Sequence, residues 1–105
     1  MRSVIATLLA LTLSALAFDA CAAGNAEEGK KRFYTCTGCH GIAGYKNAYP
    51  NYSVPKVGGQ NEAYLIAALN AYKTGDRKHP TMRAQAQSLS EQDIADISAF
   101  LAAAK

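Results

Sequence analysis

Cys36-Thr37-Gly38-Cys39-His40 sets two thiols three residues apart and follows them at once with an imidazole. C-x-x-C-H is the pattern of c-type haem attachment. On a helical turn, residues three and four apart share a face, so both sulfurs and the ring can address one flat group. Cys36 and Cys39 would form thioethers with the two haem vinyl groups, leaving His40 to reach the iron from one side. Gly38 adds no side-chain bulk where the porphyrin must approach the backbone.

Other uses of these residues fit less well. A thioredoxin-like dithiol wants a βαβ surround, and the chain carries no strand pattern. A zinc site has donors in Cys36, Cys39, His40 and His79, but adjacent Cys39 and His40 would be cramped, and 38 residues separate the two histidines. A Cys36–Cys39 disulfide would leave His40 without a role.

Residues 1–23 read as a cleaved secretory signal peptide. Arg2 supplies the positive start, Val4 to Phe18 is mostly apolar, and small residues follow at Ala20-Cys21-Ala22-Ala23, suiting cleavage after Ala22 or Ala23. The apolar run is short of the ~20 residues a membrane span needs. Lipidation at Cys21 is the alternative, although Phe18-Asp19-Ala20 does not resemble the lipoprotein processing box.

Residues 24–105 then form one small domain whose only cysteines are those of the haem motif. It holds 13 large aliphatic, Met or Phe residues and 14 alanines. A core of that size rarely supplies more than ~3–5 kcal/mol, so a buried porphyrin would provide the missing apolar mass. The haem-free chain is accordingly expected to be largely unfolded. Net charge is +3, with basic residues concentrated at Lys30-Lys31-Arg32 and at Arg77-Lys78 with Arg83 nearby. This is too mild and too mixed with acids to support nucleic-acid binding.

Asn25 with Glu28 has the form of an N-terminal capping box, predicting a helix from about Ala26 to Thr37 that carries the motif at its end. Residues 41–60 hold four glycines and two prolines and read as a loop. Asn61 caps a second predicted helix, Glu62 to Thr74, ended near Gly75. Tyr64, Leu65, Ala68, Leu69 and Tyr72 form one apolar stripe along it. Ser90 and Asp93 form the box of a last helix that buries Ile94, Ile97 and Leu101. Between these two helices Pro80 breaks the pattern, so Lys78 to Arg83 is not expected to be a secure helix.

That segment carries Met82, the one methionine left once the signal is removed. A thioether opposite His is the pair that raises a haem's potential for electron transfer. A lone Met also serves as core filler, and His79 is a rival ligand that would give a bis-imidazole site of lower potential.

In this order, the motifs Cys36-Thr37-Gly38-Cys39-His40-Gly41, Val54-Pro55-Lys56-Val57-Gly58-Gly59-Gln60, Pro80-Thr81-Met82 and Leu89 to Ile97 resemble class I c-type cytochromes. The resemblance is to small bacterial periplasmic monohaem proteins and to halves of dihaem cytochromes c, over nearly all of residues 25–105. It implies an all-α small cytochrome c fold, three to five helices wrapped around one covalently attached haem c, with His40 and Met82 as axial ligands. It also implies that the Pro55 carbonyl meets the His40 ring and that Gly29 and Phe33 cross the last helix near Ile97 and Phe100. His79 is a departure, since related dihaem halves often carry Asn there.

The function so implied is not enzymatic: a monomeric periplasmic carrier passes single electrons between a donor and an acceptor redox protein in transient encounters, steered by Lys30, Lys56, Lys73 or Lys78 toward acidic surfaces. No small-molecule substrate is expected, and membrane contact only through partner complexes. Alternatives are a cytochrome subunit of a larger respiratory or dehydrogenase complex, or a five-coordinate haem enzyme or gas sensor if Met82 is not a ligand.

Overall fold

The Asn25 side chain opens the first helix, α1 (Ala26–Phe33), by accepting from the amides of Glu27 and Glu28. The computed structural model describes residues 23–46, 51 and 53–104. The expected signal segment therefore lies, apart from Ala23, outside the described residues. Glu28 does not reach back as a capping box requires; it pairs with Lys31 at 2.7 Å. The Asn25 amide instead donates to Asp96 Oδ1 at 2.7 Å, a carboxylate brought there from the last helix. A buried acceptor on the packed partner thus replaces the local one.

The predicted helix over 26–37 is not continuous. After Phe33 the chain tightens into a 3-10 turn, Tyr34–Cys36, and resumes as a short α2 (Thr37–His40). Thr35 and Thr37 hydroxyls bond back to the carbonyls of Arg32 and Tyr34, which favours the tighter winding. Gly41 ends α2 by donating its amide to the Thr37 carbonyl at 3.0 Å.

Helix α3 (Glu62–Thr74) starts at the Asn61 cap and stops at Gly75, whose φ of 89° no β-carbon residue takes easily. Helix α4 (Pro80–Gln87) corrects the sequence expectation of an insecure segment. Pro80 stands at its first position, where a missing N–H costs nothing and the fixed φ suits the helix. Helix α5 (Glu91–Ala103) begins in a complete capping box between Ser90 and Asp93. Arg32 Nε lies 3.0 Å from Asp93 Oδ1 and ties α1 to that box.

Helices α1 and α5 cross at Gly29. A β-carbon there would lie 1.9 Å from the Asp96 carbonyl oxygen, so the backbones touch where no larger residue fits. Beside the crossing the Phe33 and Phe100 rings sit 5.6 Å apart. Leu65 of α3 joins Ile97 and Leu101 of α5 in the buried cluster, with Phe33, Val57, Leu69, Leu89 and Phe100 packed on it. Each such aliphatic contributes about 1.5–3 kcal/mol gross, most of it offset by chain entropy. Among the described residues no strand forms; a single bridge pairs Lys46 with Ser53.

Candidate functional site

The apolar stripe of α3 does not close fully onto α5. Tyr64, Leu65, Ala68, Leu69 and Tyr72 all border a cavity of about 420 Å³ that opens beside the Cys36–His40 turn. Cys36, Cys39 and His40 form one wall, Val54, Pro55 and Val57 come from the loop, and Met82 comes from α4. Leu89, Ile97 and Leu101 supply the apolar floor. The volume is that of a cofactor site, and its lining is apolar with a few placed donors.

Four of the five predicted site residues, Cys36, Cys39, His40 and Met82, are half-buried, and Pro55 is exposed. The cysteines are free, so the disulfide alternative is not formed. Burial raises the Cys36 thiol above its ordinary value, against a weaker lowering by Thr35. Among the described residues no three His, Cys, Asp or Glu side chains gather so as to hold a metal ion. The four zinc donors that the sequence offers border the cavity without converging as metal ligands.

His40 Nδ1 stands 2.8 Å from the Pro55 carbonyl oxygen. A carbonyl only accepts, so Nδ1 carries the proton and the lone pair is left on Nε2. Two bonds bring Pro55 there: the Val54 amide donates to the Tyr45 carbonyl at 2.9 Å, and the Gly59 amide to the Leu101 carbonyl at 2.8 Å. The loop is thereby folded back on itself at one point and tied to the end of α5 at another, and its proline carbonyl is aimed at the ring.

Opposite, His79 does something the sequence did not suggest. It is the N-cap of α4, with Nδ1 accepting from the Met82 amide at 3.2 Å. Tyr64, Tyr72 and Arg77 also border the cavity and were missed as site residues. Arg77 lies over the Tyr72 ring at 4.8 Å and donates from Nη1 to Tyr64 Oη at 3.2 Å. The Tyr64 hydroxyl is the main cause that raises Arg77 further and keeps it charged. The available signal was that Tyr64 and Tyr72, eight apart on one face, end in polar groups that a closed core would not accommodate.

A helical domain whose attachment motif, imidazole and thioether border one apolar cavity is a covalent haem protein. The chain belongs to the cytochrome c family, whose profile matches residues 26–105. It is 39% identical over 104 residues to cytochrome c4 of Pseudomonas aeruginosa, covering 99% of this chain and 49% of that protein. It is 41% identical over 83 residues to cytochrome c-554(548) of Halomonas halodenitrificans, covering 74% of this chain and 94% of the relative. Its fold is similar to reduced recombinant cytochrome c4 from Pseudomonas stutzeri, with a TM-score of 0.65 and 36% identity over 79% of this chain and 47% of that one. The chain thus spans about half the length of the cytochrome c4 relatives it matches. Its cofactor is covalent haem c, for which Cys36 and Cys39 form the attachment motif. The work of the family is haem-based electron transfer.

Proposed function

We propose that the chain is a periplasmic one-electron carrier whose haem is held by thioethers to Cys36 and Cys39 and ligated axially by His40 and Met82. The bound haem supplies a ferric/ferrous couple, the one chemistry the protein residues lack. What carries the reading is that both cysteines, His40 and Met82 border one cavity, with the His40 lone pair left on Nε2 by the Nδ1 bond to Pro55. That bond makes the ring a better donor and holds its orientation. Leu65, Ile97 and Leu101 keep water from the cavity floor, so little has to reorganise when the charge changes. With His40 and Met82 both bound to the iron, no open site would remain for a small substrate, which argues against catalysis.

Residues 1–23 are read as the signal that exports a mature 24–105 domain. Among the described residues no helix is long and apolar enough to cross a membrane. Lys56 at the cavity mouth and Lys78 near it would steer acidic partner surfaces in small, transient encounters. Reversible one-electron titration of the purified protein, with no rapid carbon monoxide binding by the ferrous form, is expected. Rapid binding would favour the five-coordinate enzyme or sensor. A second reading, a subunit of a larger assembly, draws on the half-length match to cytochrome c4. Native purification as a stable complex rather than an 82-residue monomer would favour it.

A further inference from the structure

We infer that His79 is a positioning residue for Met82: its ring caps the helix that presents the thioether and does not compete for the iron. His79 lies in extended backbone just before α4, at φ −160° and ψ 102°, and Pro80 follows at the first helical position. Its Nδ1 accepts from the Met82 amide at 3.2 Å, so one of the unpaired N–H groups of that helix end, the one belonging to the ligand residue itself, is satisfied by this ring. In the neutral ring an accepting Nδ1 leaves the proton on Nε2. Neither nitrogen then offers a lone pair outward.

The ring is in turn held by α3. Tyr72 meets it edge-on with centroids 6.1 Å apart. The Arg77 guanidinium covers Tyr72 at 4.8 Å and donates to Tyr64 Oη at 3.2 Å, while the Arg77 backbone amide donates to the Ala71 carbonyl at 3.0 Å. A continuous set of contacts therefore runs from α3 through Arg77, Tyr72 and His79 to the Met82 backbone. It determines where the start of α4 sits against the cavity. Asparagine is among the strongest N-caps, and its side-chain oxygen offers the same kind of acceptor to that amide.

This inference rests on Met82 being the distal ligand. It predicts that His79 sets how often Met82 leaves the iron, which competition with added imidazole measures in the ferric, haem-loaded protein. Apparent imidazole affinity is the intrinsic affinity scaled by the fraction of protein with methionine displaced. Losing a side-chain cap shifts a helix-start equilibrium by about fivefold, so His79→Ala should bind imidazole about fivefold more tightly. His79→Asn should return to within about twofold of the wild type, and His79→Ser should also recover most of the effect. The inference is overturned if His79→Ala binds imidazole as the wild type does, or if Ala and Asn shift it equally. If the wild-type ferric protein lacks the weak Met-to-iron charge-transfer absorption, the ligation reading fails first and takes the inference with it. Loss of that absorption in all three His79 variants would also overturn the inference, since the capping residues Asn and Ser should hold Met82 as His79 does.

Discussion

Gly29→Ala sets two effects of opposite sign against each other at the α1–α5 crossing. Inside a helix, alanine is favoured over glycine by about 1 kcal/mol, so propensity alone predicts a more stable protein. The added β-carbon, however, would stand 1.9 Å from the Asp96 carbonyl oxygen, 2.4 Å from its carbon and 2.9 Å from the Ile97 nitrogen. Ordinary contact begins near 3.4 Å, so the helices must part by about 1.5 Å. All three atoms are backbone, and none can swing aside. The same crossing carries the Asn25–Asp96 bond, the Arg32–Asp93 pair and the Phe33–Phe100 contact, which would all lengthen together. Overpacking a rigid site costs about 1–3 kcal/mol and more where nothing yields. Taking about 3–4 kcal/mol for this unyielding contact, a net loss of about 2–3 kcal/mol remains after the propensity gain of about 1 kcal/mol. At about 4–8 °C per kcal/mol for a domain of this length, the melting midpoint should fall by roughly 8–24 °C. Far-UV circular dichroism of the haem-loaded variant reads this directly. A midpoint equal to or above the wild type would refute the close crossing.

Other perturbations test separate parts of the structure. Without haem, the apolar lining of the cavity of about 420 Å³ stands open to water and loses about 1.5–3 kcal/mol of burial for each large side chain, against the ~3–5 kcal/mol that so small a core supplies. The haem-free chain should therefore show little helix, and a cooperative native-like melt of it would contradict this. Ser90→Ala removes the α5 cap and should cost about 1 kcal/mol, seen as a lower urea midpoint at unchanged slope. Asp93 is held below the usual carboxylate range, first by the Ser90 backbone and then by the Ser90 hydroxyl, Arg32 and Lys73. Its contribution is full above its unfolded value of about 3.9 and is lost as pH falls through the lower folded one, so Asp93→Asn should flatten the acid limb of a stability–pH profile. Reduction of the carrier by an acidic partner should slow as salt rises, and more weakly so in Lys56→Gln; insensitivity to salt would remove the steering role.

The helices with chemical start signals were the legible ones. Asn61 and Ser90 cap α3 and α5 in the structure as their side chains foretell, and Ile94, Ile97 and Leu101 face inward as their spacing requires. Where the determinant lay elsewhere in the chain, local reading failed. The Asn25 amide is satisfied by Asp96, 71 residues away, and no local pattern signals that. Pro80 was read as a breaker because His79 was not recognised as the cap before it; with that cap, Pro80 is a start signal. Five residues that the structure sets around one cavity were singled out by a specific motif and the order of weaker ones. Tyr64 and Tyr72 were not, since a stripe of apolar positions looks the same whether it faces a protein core or a cavity.

The proposed electron-transfer site requires that Met82 and His40 both bind the iron. The visible and near-infrared spectrum of the oxidised, haem-loaded protein, wild type beside Met82→Ala, tests this most directly. The Met-to-iron charge-transfer absorption should be present in the wild type and absent in the variant, whose reduction potential should also fall. Absence of the band in the wild type, or its survival in the variant, would contradict the closed His40/Met82 site.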